Sequence, residues 1–233
     1  MIHRGPDGRH TARGNVLSDP SHSNSGDGGG IGPKWVMGHQ RLAIVDPDSH
    51  SADMPFVLTL KGEKYRLAAN GEIYNHNILY EELVTKHGWT EKKISGSDCE
   101  TIAHACACLG PTEAVKKLDG MFAFVLFKEG GKEGEKPVAF AARDPVGIKP
   151  LYYGETEDGA MVFASELKAL VGHVVVGSVK QMPPGHYWTP EDGLVRYHRP
   201  EWNFNVSCAL VQDLCLVHII MCVYIFHVIT TLG

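Results

Sequence analysis

The run Met121-Phe122-Ala123-Phe124-Val125-Leu126-Phe127 decides the fold, because all of its residues are apolar. A strand with one solvent-exposed face alternates apolar and polar residues, whereas a continuous apolar run is typical of a strand covered on both faces. We therefore predict a central strand here. Shorter apolar runs at 138–142, 151–154 and 161–164 predict further strands downstream.

Upstream of this run, the sequence predicts strands first and helices second. Apolar stretches at 35–37, 42–45 and 65–69 are predicted to be strands. Helices are then predicted over 75–87, from Ser97 or Asp98 to about 109, and from Pro111 to about 118. Strands, helices and then more strands indicate an α+β architecture.

The first predicted helix carries signals at both ends. Asn75 or Asn77 is the expected N-cap, and Gly88 is expected to end the helix. The side expected to face the core is formed by Ile78, Leu79 and Leu83.

Composition limits the classes of function. The chain has 233 residues, enough for one domain, and a net charge of −5 from 22 basic and 27 acidic residues. It has no basic stripe, so nucleic acid is not an expected partner. The six cysteines form no CxxC pair, so we expect no metal site. Reduced thiols and a cytoplasmic location are expected instead.

Three polar motifs stand out. They are Gly38-His39-Gln40-Arg41-Leu42-Ala43-Ile44-Val45-Asp46, Asn70-Gly71-Glu72-Ile73-Tyr74-Asn75 and Gly96-Ser97-Asp98-Cys99-Glu100. Arginine suits a carboxylate, because its planar fork donates two parallel hydrogen bonds. Aspartate suits an ammonium group. An Asn-Gly pair can stabilise an oxyanion, or it can form a hairpin turn.

Together these motifs resemble the glutaminase domain of asparagine synthetase, a class II glutamine amidotransferase. The resemblance covers about residues 1–203 and includes the motifs Leu118–Phe124, Arg143–Tyr153 and Phe163–Leu170. It implies an Ntn-hydrolase-type four-layer αββα sandwich of antiparallel sheets over residues 1–204. Residues 17–34, rich in Gly and Ser, are expected to form a flexible loop within it.

The resemblance also implies roles for individual residues. Arg41 is expected to bind the α-carboxylate of glutamine, and Asp98 its α-ammonium. Asn70 and Gly71 are expected to form the oxyanion hole. The residues expected to contact glutamine are Arg41, Leu42, Ala43, Ile44, Val45, Asn70, Gly71, Glu72 and Asp98.

The nucleophile expected in this class, a cysteine at the mature N-terminus, is not found at position 1. That residue is methionine, and no cysteine occurs before Cys99. Cys99 begins a predicted helix, where the pKa of a thiol can fall. We nevertheless expect it to be a packed thiol that points away from Asp98. The 233 residues are therefore expected to be inactive, and to lack the first strand and helix of the fold.

We consider two functions. The first is the glutaminase part of asparagine synthetase, which would release ammonia for the amidation of aspartate. ATP and magnesium would then belong to a synthetase domain, because the chain contains no Ser-Gly-Gly-Xaa-Asp-Ser phosphate loop. The second is a non-catalytic module that binds glutamine or a partner. A homodimer is left open.

The tail 205–233 falls outside the resemblance. Residues 214–232 carry no charge and approach the length needed to cross a bilayer. Three interpretations stay open: a misassembled gene end, a membrane anchor, or a buried core element.

Overall fold

The computed structural model describes residues 8–14, 35–41, 50–130 and 137–200, with only the backbone at 8–9, 12–14 and 41. The α-helices in these residues are α1 (His76–His87), α2 (Glu100–Leu109) and α3 (Pro111–Lys117), and two short 3₁₀ helices lie at His50–Ala52 and Leu167–Ala169. The strands are β1 (Gly8–Gly14), β2 (Trp35–Arg41), β3 (Phe56–Leu60), β4 (Glu63–Ile73), β5 (Gly120–Lys128), β6 (Val138–Arg143), β7 (Tyr152–Glu155), β8 (Met161–Ala164), β9 (Lys180–Gln181), β10 (His186–Thr189) and β11 (Gly193–Arg196).

A six-stranded sheet in the order β11-β10-β6-β5-β4-β3 lies at the centre, and all of its neighbouring strands are antiparallel. The remaining strands form two small antiparallel sheets, β1-β2 and β8-β7-β9. The predicted central strand is β5, which pairs with β4 along its whole length and with β6 along most of it.

Both faces of β5 are buried, as its apolar run predicts. Phe122, Phe124 and Leu126 join a core cluster that includes residues of α1, α2 and α3. Ala123, Val125 and Phe127 alternate with them and join a second cluster on the opposite face, which includes residues of β2 and β8. Because successive side chains of a strand point to opposite faces, one strand serves two cores.

The layers follow from these two clusters. The three α-helices cover one face of the six-stranded sheet, and the smaller sheets contribute to the core on the other face. The predicted α+β sandwich of antiparallel sheets is confirmed. Three layers lie within the described part of the chain, which contains no second α-helical layer. The loop at 17–34 and the tail 205–233 lie outside the described residues.

Helix α1 confirms most of the sequence prediction. Asn75 is the N-cap residue, and Gly88 ends the helix in the left-handed conformation at φ 64°. Leu79 and Leu83 are buried as expected, but Ile78 is 72% exposed, so its placement on the core side was wrong. Asn75 makes no side-chain cap; its amide instead donates to the Lys117 carbonyl and accepts from the Asp119 N–H.

Candidate functional site

Asn70 and Gly71 lie inside strand β4. Their Cα atoms pair with Ala123 and Phe122 of β5, and β4 continues to Ile73. The hairpin-turn alternative for Asn-Gly is therefore wrong. The pair is instead held near the end of a long central strand, where a rigid ladder fixes its position.

Gly71 is required at its position by the close approach of β5. Its φ is +143°, and an added Cβ would lie 1.9 Å from the Met121 carbonyl oxygen. Gly120, on the facing strand, shows the reciprocal crowding, with a Cβ that would lie 2.1 Å from the Glu72 carbonyl oxygen. Neither position can accept a side chain without moving backbone atoms.

The Asn70 side chain is fully buried at 0% exposure. Neither its Nδ2 nor its Oδ1 has a hydrogen-bond partner among the described residues. A buried amide without partners costs roughly 1–3 kcal/mol, so its retention calls for an explanation. An amide with unused donors suits the binding of a developing oxyanion.

Asp98 lies beside the same strand. Its Oδ2 accepts a 2.6 Å hydrogen bond from the N–H of Ile73, the last residue of β4. The Asp98 residue is only 9% exposed. This bond joins two motifs that are 25 residues apart in sequence and sets a carboxylate close to Asn70 and Gly71.

Cys99 is a packed thiol, as expected, but its direction was predicted wrongly. Its Sγ lies 3.5 Å from the Gly71 carbonyl oxygen and 3.9 Å from Asp98 Oδ2, so it points towards Asp98. Burial, together with the charges of Asp98 and Glu72, raises the pKa of the Cys99 thiol well above its usual value. The pKa does not fall at the helix start, so the thiol stays protonated and is a poor nucleophile.

Two basic side chains near Asp98, Lys93 and His76, were missed by the sequence prediction. Burial lowers the pKa of Lys93, although the nearby carboxylates of Glu100 and Asp98 favour its charged form. Burial and the charge of Lys93 lower the pKa of His76, whereas the charge of Asp98 acts to raise it. Neither residue belongs to a motif: His76 is the first residue of α1, and Lys93 lies in the connection between α1 and α2.

The other predicted contact residues are only partly described. Arg41 is the last residue of β2, with its Cα opposite Gly8, but the structure describes only its backbone. Residues 42–45 also lie outside it. Glu72 follows Gly71 in β4, is partly exposed, and pairs with Met121. The expected pairing of Arg41 and Asp98 around one ligand thus stays a prediction.

The residues that the structure describes contain no group of three or more histidine, cysteine or acidic side chains able to hold a metal ion. None of their helices is both long enough and apolar enough to cross a bilayer. The uncharged segment 214–232 lies outside the described residues.

Sequence comparison decides the family. The sequence profile described as the glutamine amidotransferase domain matches residues 25–183, which include Arg41, Asn70, Gly71 and Asp98.

The chain belongs to the glutamine amidotransferase domain family.

Several relatives of this amidotransferase domain are glutamine-hydrolysing asparagine synthetases. Two come from Arabidopsis thaliana: asparagine synthetase 2, 41% identical over 73% of this chain and 28% of the relative, and asparagine synthetase 3, 42% identical over 78% and 30%. Asparagine synthetase B of Escherichia coli K12 is 36% identical over 78% of this chain and 32% of its own length. The chain thus spans about 30% of these relatives.

Solved structures share the fold. The allosteric regulatory enzyme of purine biosynthesis matches with a TM-score of 0.55 and 23% identity, over 71% of this chain and 35% of that one. Glutamine phosphoribosylpyrophosphate amidotransferase from B. subtilis matches with a TM-score of 0.54 and 24% identity, over the same shares. The amidotransferase sandwich expected from the sequence is therefore the fold of this chain.

Proposed function

We propose that this domain binds L-glutamine and holds its side-chain amide for hydrolysis to glutamate and ammonia. The hydrogen bond from the Ile73 N–H to the Asp98 carboxylate carries the proposal, because it sets an anionic group beside the strand that holds Asn70 and Gly71. A carboxylate can accept about four hydrogen bonds, so the bond from Ile73 leaves capacity for an ammonium group.

Each part of glutamine has a matching group in this proposal. Asp98 binds the α-ammonium, and Arg41 binds the α-carboxylate. The Asn70 amide and the Gly71 N–H donate to the oxyanion that forms when the side-chain amide is attacked, and one such donor contributes roughly 3 kcal/mol to catalysis. The remaining pocket residues proposed are Leu42, Ala43, Ile44, Val45 and Glu72.

Attack on the amide requires a thiolate. We propose that the 233 residues by themselves bind glutamine without hydrolysing it. Burial raises the pKa of each cysteine in the described residues, Cys99, Cys106 and Cys108, above the usual thiol value, which supports this proposal. The same observation favours the second candidate function, a non-catalytic module that binds glutamine or a partner. Ammonia release above background, in a glutaminase assay of the purified chain, would contradict both.

The named relatives support a wider proposal for a longer protein. The ammonia would pass to a synthetase domain that amidates aspartate to asparagine, and ATP and magnesium would act in that domain. The 36–42% identity to glutamine-hydrolysing asparagine synthetases supports it. A cytoplasmic location and a homodimer belong to the same proposal.

Calorimetry with L-glutamine tests the binding proposal. We expect the chain to bind with a Kd between micromolar and millimolar, and Asp98→Asn to weaken binding about 30-fold, since a hydrogen bond to a charged group contributes about 2 kcal/mol. Asparagine keeps an oxygen for the Ile73 N–H, so the fold should survive. Asp119→Asn removes an exposed carboxylate just before β5 and should leave the Kd unchanged. An unchanged Kd in Asp98→Asn would contradict the proposal.

A further inference from the structure

Behind Asp98 lies a chain of hydrogen-bonded polar side chains, which we call the Glu100 network: Trp89, Glu100 and His104, which are buried, and Ser95, which is partly buried. Glu100 and His104 are both 0% exposed, and Trp89 is 2% exposed. Burying an ionised carboxylate is costly unless hydrogen bonds compensate it. An apolar residue would fill this space at no such cost, so the network calls for a role beyond packing.

Glu100 collects its hydrogen bonds from one short loop. Its Oε1 accepts from the Ile94 N–H at 2.7 Å, and its Oε2 accepts from the Ser95 N–H at 2.8 Å and the Ser95 hydroxyl at 2.5 Å. Burial alone would raise the pKa of Glu100, but the bonds from His104, Ser95 and the two amides outweigh it and hold that pKa below its usual value. Glu100 therefore fixes the path of residues 94–95 from within the core.

The second half of the network fixes Glu100 itself. The Trp89 indole N–H can only donate, and it lies 2.9 Å from His104 Nδ1, which must therefore accept. The ring hydrogen is then on Nε2, which donates to Glu100 Oε1 at 3.2 Å. The indole thus selects one neutral tautomer of His104, and that tautomer points its hydrogen at the carboxylate.

The loop held by Glu100 leads directly to Asp98. The Ser95 hydroxyl accepts a 3.2 Å hydrogen bond from the Ser97 N–H, so Ser97 is tied back to the residue that Glu100 holds. The next residue, Asp98, is then bound through its carboxylate to the Ile73 N–H. The Glu100 network thus fixes the residues that precede Asp98, and the hydrogen bond from β4 fixes the Asp98 carboxylate itself.

We infer that Glu100, His104 and Trp89 are positioning residues that aim the Asp98 carboxylate at the α-ammonium of glutamine. This inference rests on the proposed function, in which Asp98 binds that ammonium. None of the three residues needs to touch the substrate. Their effect should be confined to ligands that carry an α-ammonium, which separates positioning from a general role in stability.

A pair of ligands makes this separation measurable. Glutaramate is glutamine without its α-amino group, so it cannot use Asp98 as a partner. In NMR titrations of the 233-residue chain, we expect Glu100→Gln to weaken L-glutamine binding about tenfold, the equivalent of about 1.4 kcal/mol. Binding of glutaramate should stay within about twofold of wild type.

Two variants support this test. Trp89→Phe keeps an aromatic ring but removes the indole N–H, and it should weaken glutamine binding by about threefold, again without affecting glutaramate. It keeps the inference testable if Glu100→Gln does not fold. Cys106→Ala is the control, because Cys106 is buried in the same helix α2 but lies outside the network. Cys106→Ala should lower stability and leave both affinities unchanged.

The outcomes separate this inference from the function on which it rests. If wild type binds glutamine and Asp98→Asn weakens that binding, but Glu100→Gln and Trp89→Phe do not, the positioning role is wrong and the proposed function stands. Equal losses for both ligands would also overturn positioning. If wild type does not bind glutamine, or Asp98→Asn binds it as wild type does, the proposed function fails and the inference fails with it.

Discussion

Asp144 and Asp98 are two buried carboxylates, but they use their hydrogen-bond capacity differently. Asp144 is fully buried and accepts hydrogen bonds from five backbone N–H groups, those of Phe122, Val146, Gly147, Ile148 and Lys149. Asp98 is 9% exposed, and the Ile73 N–H is the backbone donor that its carboxylate meets in the described residues.

The polar side chains near Asp144 and Asp98 differ in the same way as the two carboxylates. Arg143, next to Asp144, donates to the carbonyl oxygens of Gly147, Lys149 and Met182. The side-chain amide of Asn70, in the same strand as Ile73, has no hydrogen-bond partner within the described part of the chain. Both regions belong to motifs that resemble the same family. Unused hydrogen-bond capacity, rather than motif membership, therefore distinguishes the region proposed to bind a ligand from the region that only shapes a loop.

The largest expected effect lies on the Asp98 side, in the backbone. Gly71→Ala would place a Cβ 1.9 Å from the Met121 carbonyl oxygen at a φ of +143°, so β4 and β5 would have to separate. We expect a loss of more than about 4 kcal/mol in the free energy of unfolding, measured by urea denaturation. Gly62→Ala is the control: its φ is +79° but its Cβ would meet open space, so about 1–2 kcal/mol is expected. Similar losses in both variants would show that crowding at Gly71 is unimportant.

Asp144→Ala should give the next largest loss. It would leave five backbone N–H groups without their acceptor, and we expect the free energy of unfolding to fall by about 4 kcal/mol. The Kd for glutamine should stay within about twofold in the folded protein, because this loop is not proposed to touch the ligand. If Asp144→Ala lost glutamine binding but kept normal stability, Asp144 would act in ligand binding and not in shaping the loop.

Asn70→Ala should destabilise the protein far less. Removing the amide leaves a small cavity, but it also removes two buried polar atoms without partners, and these contributions oppose each other. We expect a change of less than about 1 kcal/mol in the free energy of unfolding. Calorimetry should give a nearly unchanged Kd for glutamine, since an oxyanion donor acts mainly in the transition state. A loss as large as that of Asp144→Ala would assign Asn70 a structural role.

The smallest expected effect is a difference between wild type and Glu100→Gln in how the free energy of unfolding depends on pH. The pKa of Glu100 is lowered in the folded state from its ordinary value of 4.5. Its contribution to stability is therefore present above pH 4.5 and is lost as the pH falls through the folded pKa. Stability should decrease more steeply with acid in wild type than in Glu100→Gln, in urea denaturation between about pH 3 and 6. If the free energy of unfolding depended on pH in the same way in wild type and in Glu100→Gln, the pKa of Glu100 would be the same in the folded and unfolded states.

The sequence predicted what depends on local pattern. The apolar run of β5 and the run at 161–164, which forms β8, were placed correctly because burial on both faces leaves a clear signal. Gly88 ended α1 as expected, since a left-handed residue favours glycine. At the site, Asn70, Gly71 and Asp98 were selected by resemblance, and the structure brings them together.

The parts that were missed depend on contacts between distant segments. Strand β3 was not predicted although its burial alternates strictly, and β10 and β11 have four residues each, too few for a clear pattern. The Asn75 amide bonds to residues more than 40 positions away, which a local cap rule cannot anticipate. The pairing of Glu100 with His104 was not predicted, although the two residues are four positions apart on α2, and its role depends on the more distant Trp89.

The pairing of β4 with β5 has a kinetic consequence. Helices α1, α2 and α3 all lie between these two strands in the chain, so we expect the central ladder to close late, after the intervening segment has become compact. Closing such a long loop costs entropy before its contacts compensate, which slows folding. We therefore expect the helices to form and pack together first. The region where Asp98 binds the end of β4, near Asn70, should be among the last parts to become ordered.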